Sequence, residues 1–190
     1  MARPSYIRVA GMAAALWLLS TGLSLSQPAE FPEAFRSLLQ QIGVDLYRPA
    51  DGDYKSLPTD GMIYQPCDFA WYSRAEKLEI RYLARPWSES DFSSQFPHIL
   101  AARMAAHVAS NEEGAFTTVF SLGTEELRAF NADWGAAYFF QPKAIFSERR
   151  HGELVVLHKA GRGTMMIFFL FDDPGNEALD LRFQALSFLE

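Results

Sequence analysis

The chain of 190 residues contains a single cysteine, Cys67. An internal disulfide is therefore excluded, and so is any metal site that needs a pair of cysteines. We expect Cys67 to be a small buried residue that packs as an apolar side chain does. A disulfide to a partner protein is the alternative for this thiol.

Basic residues are also few. The 17 lysines and arginines are outnumbered by 23 aspartates and glutamates, which gives a net charge of −6. The pair Arg149 and Arg150 is too short to form a surface that follows a phosphate backbone. We therefore expect no nucleic-acid partner and no attraction to anionic lipid.

The sequence lacks the short motifs from which a catalytic or metal site is usually identified. Its four histidines show no metal-ligand spacing, and neither a GxSxG turn nor a phosphate-binding loop occurs. His98 and His107 lie nine residues apart on a predicted helix, and therefore on opposite faces. We predict no metal ion and no cofactor.

No apolar run near the N-terminus reaches the roughly 20 residues that cross a bilayer. The run over residues 9–19 follows two arginines and precedes small residues at Ser24 and Ser26. This order is typical of a signal peptide, with an uncut membrane anchor as the alternative. We predict that residues 1–26 are a signal peptide, cleaved after Ser26.

The remaining residues, 27–190, have the length of one domain. We expect an exported protein of the periplasm or the extracellular medium. Its membrane contact is then limited to the signal segment during export. Its partner is expected to be a protein or a small ligand of unknown identity.

Apolar periodicity predicts the secondary structure of this domain. Residues 164–171 are apolar at every position but the first, which predicts a central strand covered on both faces. Residues 77–85 alternate apolar and charged, which predicts a half-exposed strand. The predicted elements are helices at 32–42, at 97–110 and from Asp173-Pro174, strands at 44–48, 116–120 and 136–140, and hairpins of 62–72 with 77–85 and of 153–159 with 164–171. The predicted class is α+β, a layered sandwich of an antiparallel sheet with helices packed on it.

Several of these segments, in this order, resemble one known family. "VDLYRP" and "KLEIRY" are early strands, "HILAARMAAHV" is a helix, and a final hairpin is followed by a helix. This arrangement resembles the Mog1/PsbP-like sandwich, including exported bacterial relatives similar to DcrB. The resemblance covers nearly all of residues 27–190. It implies an accessory, assembly or binding role without catalysis, and it brings no catalytic motif to carry over.

The segment "FNADWGAAYFFQPKAIF", residues 130–146, holds the best candidate site residues. Asp133 and Trp134 stand before a predicted strand, where they would either line a ligand site or only shape a turn. We favour the turn. His158, on the strand at 153–159, is the third candidate, and we expect a rim or satisfied core histidine there rather than a base.

Two classes of function remain open from the sequence. The first is a non-catalytic exported protein that binds a protein or small ligand through Asp133, Trp134 and His158. The second is a small periplasmic hydrolase that uses Asp133 with His158 or Glu79. Convergence of Asp133, His158 and Glu79 in one pocket would favour the enzyme.

Overall fold

A computed structural model describes residues 31–47 and 52–190. The predicted signal peptide, residues 1–26, lies outside the described residues. The helices are α1 (Glu33–Ile42), α2 (Phe92–Gln95), α3 (Pro97–Val108), α4 (Thr124–Ala129) and α5 (Ala178–Phe183). The strands are β1 (Val44–Leu46), β2 (Lys55–Ser56), β3 (Phe69–Ser73), β4 (Leu78–Pro86), β5 (Thr117–Ser121), β6 (Trp134–Phe140), β7 (His151–Lys159), β8 (Gly163–Phe171) and β9 (Leu186–Phe188).

Seven strands form one antiparallel sheet in the order β2-β3-β4-β8-β7-β6-β5. The first and last strands, β1 and β9, form a separate antiparallel pair. The predicted α+β class with an antiparallel sheet is therefore confirmed, and the helices lie on the sheet as in a layered sandwich. The closer resemblance to the Mog1/PsbP-like family stays a prediction.

Strand β8 is buried along its whole length, as its sequence predicts. Ile167 and Phe169 point to one face of the sheet, which we call the front face. Met166 and Phe168 point to the other, the back face. Helices α1 and α5 and the β1–β9 pair cover the front face, and α3 covers the back face. Because both faces are covered, the apolar side chains at residues 165–171 are all buried, whichever face they point to.

Helix α1 follows its predicted pattern. Phe35, Leu39 and Ile42 form the buried stripe of an amphipathic helix against the front face. Gly43 then adopts a left-handed conformation with φ of 65°, which a glycine reaches without the steric cost of a Cβ atom. The predicted end of this helix is confirmed.

The prediction of a half-exposed strand at 77–85 is wrong. Strand β4 lies inside the sheet between β3 and β8, and its Arg81 is only 8% exposed. The side chain of Phe146 lies under the guanidinium group, 4.7 Å from ring centre to Cζ. Charge alternation normally indicates a solvated face, but here a segment 65 residues further along the chain covers the strand. The partner arm is also shorter than predicted, since β3 begins only at Phe69.

The predicted helix from Asp173-Pro174 is wrong at its start. Asp173 accepts a hydrogen bond of 2.9 Å from the N–H of Gly175, which stabilises a turn rather than a helix cap. Helix α5 begins at Ala178 and lasts six residues. Leu186 lies beyond this helix, in β9, where it pairs with Leu46.

Candidate functional site

Asp133 stands where β6 begins, beside the turn that joins β7 to β8. Its backbone N–H donates to the carbonyl of His158 at 2.8 Å. Its carboxylate accepts from the N–H of Ala160 at 2.9 Å and from Nζ of Lys159 at 3.3 Å. These contacts fasten the start of one strand to the neighbouring turn, which is how a turn-stabilising aspartate acts.

The same contacts set the charge of Asp133. The hydrogen bond from the N–H of Ala160 does most to hold the pKa of the carboxyl below its usual range; burial opposes this shift, and the hydrogen bond and charge of Lys159 lower the pKa further. The group is therefore ionised at neutral pH. A carboxylate with a lowered pKa is a poor general base, because it binds a proton weakly.

His158 pairs with Trp134 across β6 and β7 and is buried on the back face. Its Nδ1 lies 2.9 Å from Oγ1 of Thr164 on β8, and the Trp87 ring lies 5.9 Å away. Burial lowers the pKa of this histidine, and the charge of Asp133 opposes the shift. The imidazole of His158 is thus buried in the sheet and has a hydrogen-bond partner there.

The structure brings three of the named residues together and leaves the fourth apart. Asp133, Trp134 and His158 meet at one end of the sheet. Across the sheet, His158 lies opposite Thr164 of β8, which lies opposite Arg85 of β4. Glu79 is six residues from Arg85 along β4. At about 3.4 Å per residue, the separation is about 20 Å. Glu79 instead pairs with Arg81.

A second site, which the sequence did not indicate, is an open groove on the back face. Its volume is about 700 Å³. A loop at 61–65 forms one wall, and Ile145 with Phe146 forms the other. The groove is lined by Gly61, Met62, Ile63, Tyr64, Gln65, Arg81, Ile145 and Phe146. Most of these side chains are apolar, as in ligand sites that bury the body of a small molecule.

Arg81 supplies the positive charge of this groove. Its Nε donates to the Glu79 carboxylate at 2.6 Å, and its Nη1 donates to the Phe146 carbonyl at 3.1 Å. The third nitrogen, Nη2, has no acceptor among the residues that the structure describes. A buried guanidinium with one nitrogen left over can therefore donate to a ligand without losing its protein contacts.

The loop wall is held against α3. The Tyr64 ring stacks on the His107 ring at 4.5 Å, and its hydroxyl donates to the His107 carbonyl at 2.8 Å. Lys143 Nζ donates to the same carbonyl at 2.6 Å. These contacts keep the loop at 61–65 in place, so this wall of the groove is preformed.

The rim of the groove is apolar and exposed. Ile63 is 86% exposed and Ile145 is 70% exposed, although both belong to a type that is usually buried. Each lies in a loop and not in a strand or helix, and apolar residues in predicted loops are the one feature of the sequence that could have pointed to this surface. Such a signal is weak without the structure, because single exposed apolar residues are common.

Within residues 31–47 and 52–190, no three His, Cys, Asp or Glu side chains are grouped so that they could share a metal ion. No helix in those ranges has both the length and the apolar character to cross a membrane. In comparisons with known proteins, no family model matches this chain, and no curated protein matches it either.

Proposed function

We propose that this protein is an exported, non-catalytic binding protein of the cell envelope that holds an amphipathic ligand in the back-face groove. One observation carries the proposal: a groove of about 700 Å³ whose apolar walls converge on the buried guanidinium of Arg81. A concave apolar site with few polar groups is the usual form of a small-ligand site.

The lining indicates the chemistry of the ligand. An aliphatic or aromatic body would contact Ile63, Ile145 and Phe146. A carboxylate or carbonyl oxygen would accept a hydrogen bond from Nη2 of Arg81. Glu79 already neutralises most of the charge of Arg81, so the apolar contacts supply most of the affinity and Arg81 orients the ligand.

Three further features support binding over hydrolysis. Asp133 is tied into a turn with a lowered pKa, and Glu79 lies about 20 Å from His158 along the sheet. The sequence resemblance to the Mog1/PsbP-like family implies an accessory role. The basic and apolar N-terminal segment at residues 1–26 supports the other part of the proposal, export, which both classes of function share.

The groove is tested with anilinonaphthalene sulfonate, a fluorescent anion with an aromatic body. We expect saturable fluorescence from the wild-type protein and at least tenfold weaker binding by Ile63→Asp and Ile145→Asp. Both residues are exposed, so these variants should fold normally. The control is Leu189→Asp, which places the same charge at an exposed aliphatic residue outside the groove. Equal loss in all three variants, or none in the rim variants, would contradict the assignment.

Export is tested on the protein isolated from its native cells. We expect intact-mass and terminal-peptide measurements to find Gln27 as the first residue. Mature molecules in the envelope fraction that still carry residues 1–8 would contradict cleavage after Ser26.

A further inference from the structure

Among the residues that the structure describes, one buried acidic residue lies on the front face of the sheet. Glu153, the third residue of β7, is 8% exposed. Its cross-strand neighbours on the two sides are Phe139 of β6 and Phe169 of β8. The register places this glutamate between two phenylalanines, and burial there disfavours the charged form of its carboxyl group.

This carboxyl has no partner in the described chain. Among residues 31–47 and 52–190, none donates a hydrogen bond to Glu153 or forms an ion pair with it. The facing charged group on α5 is another acid, Asp180, and it too has no ion pair in those ranges. On its own strand the nearest titratable group of the same face is His151. Burial and the charge of Asp180 raise the pKa of Glu153 to about 8.

The two phenylalanines beside Glu153 belong to larger ring contacts. Phe139 meets Phe120 of the edge strand in an edge-to-face contact with centroids 5.8 Å apart. Phe169 meets Phe183 of α5 with centroids 6.4 Å apart. Phe120 is 37% exposed, so the ring cluster continues to the protein surface. The negative faces of phenyl rings attract cations and do not hydrogen-bond carboxylates.

We propose that Glu153 and Asp180, together with the rings of Phe120, Phe139 and Phe183, bind the ammonium group of an alkylamine. An ammonium ion supplies the positive charge and the N–H donors that both carboxylates lack. Its alkyl chain would lie against the phenyl rings and lead out past Phe120.

An organic cation suits this arrangement better than a metal ion. Calcium and magnesium take six or more oxygen ligands, whereas the rings leave Glu153 with carbon neighbours on both sides. The site also lies on the front face, opposite the Arg81 groove. Its ligand is therefore independent of the ligand of the groove, and either proposal can fail without the other.

Binding has a pH window set by both partners. Glu153 must lose its proton to pair with an ammonium ion, so affinity rises as the pH passes about 8. The ammonium ion keeps its proton up to roughly pH 10. The expected optimum is between these limits, and the ligand in turn should lower the pKa of Glu153.

The experiment uses n-butylammonium chloride at pH 9, with sodium chloride at equal ionic strength as the blank. Carboxyl-carbon NMR of labelled glutamate follows the titration of Glu153, and calorimetry measures the affinity. We expect saturable binding and a lowered pKa of Glu153 with the amine but not with sodium. A capped lysine amide, tested in parallel, distinguishes a lysine side chain of another protein from a free amine as the source.

Two variants and a control decide the assignment. Glu153→Gln and Asp180→Asn should each weaken binding at least tenfold. Glu89→Gln removes an exposed carboxylate elsewhere and should bind as the wild type does. Asp180 is exposed, so Asp180→Asn is interpretable even if Glu153→Gln fails to fold. No saturable binding by the wild type, or undiminished binding by folded Asp180→Asn, would overturn the proposal.

Discussion

The carboxylate of Asp133 accepts a 2.9 Å hydrogen bond from the backbone N–H of Ala160, across 27 residues of sequence. The contact joins the start of β6 to the turn between β7 and β8. Because the folded state lowers the pKa of Asp133, its contribution is present above the pKa of the unfolded chain and is lost as the pH falls through the folded value.

The first prediction compares two replacements of this residue. Asp133→Asn keeps an oxygen that can accept from Ala160, so we expect it to lower the free energy of unfolding by less than about 1 kcal/mol. Asp133→Ala removes the acceptor and should cost about 1 kcal/mol more. Urea denaturation measures both. Equal effects would show that the hydrogen bond to Ala160 does not matter.

The second prediction concerns the ion pair between Arg182 and Glu76. The guanidinium of α5 contacts both carboxylate oxygens in the turn after β3, and both side chains are largely buried. Arg182→Ala leaves a buried carboxylate behind and should cost about 3–5 kcal/mol. In a double-mutant cycle with Glu76→Gln, the second change should cost much less than it does alone. Additive losses would contradict direct coupling.

The third prediction tests the core of the sheet. Phe169 is 1% exposed on the central strand, so Phe169→Ala should cost about 3–5 kcal/mol. Phe116→Ala is the matched control, because that ring is 42% exposed beside the edge strand. We expect the control to cost less than about 1 kcal/mol in the same denaturation experiment. A small effect at Phe169 would contradict its place between the sheet and α5.

The fourth prediction is a pH dependence that is independent of any ligand. The pKa of Glu153 is raised to about 8 in the folded chain, whereas an unfolded glutamate has its usual value of 4.5. Between these values the folded state binds more protons, so stability falls as the pH rises and levels off above about 8. Glu153→Gln should remove this fall.

Thermal or urea melts of both proteins from pH 4 to 9 measure the difference. Glu153→Gln should be more stable than the wild type at pH 9, on the order of a few kcal/mol. The two proteins should converge near pH 4, where the carboxyl is protonated in both states. A constant difference across the range would show that Glu153 does not titrate as proposed.

The local pattern of apolar residues predicted most strands of the sheet, because neighbouring residues largely determine where a strand forms. The apolar run of β8 and the turn glycines before it are sufficient to indicate a central hairpin strand. The burial of Arg81 could not be predicted, since Phe146 covers it from a distant part of the chain. The groove could not be predicted either, because its two walls are 80 residues apart in the sequence.

The site residues show the same difference between local and distant contacts. The sequence favoured a turn role for Asp133, because the hydrogen bonds of a turn depend on nearby residues. The burial of Glu153 could not be predicted, since a glutamate at the start of an apolar strand is equally typical of an edge strand or an exposed position. Only the register of β6, β7 and β8 puts Phe139 and Phe169 beside it.

The pairing of β1 with β9 has a consequence for the time at which the domain can fold. Val44 lies opposite Phe188, so this contact closes a loop of roughly 140 residues, and loop closure becomes slower and more costly with length. A ribosome must release almost the whole chain before β1 finds its partner. If the chain is exported as proposed, this delay would favour passage of the unfolded chain through a membrane channel, because β1 and β9 pair only after both have emerged on the far side.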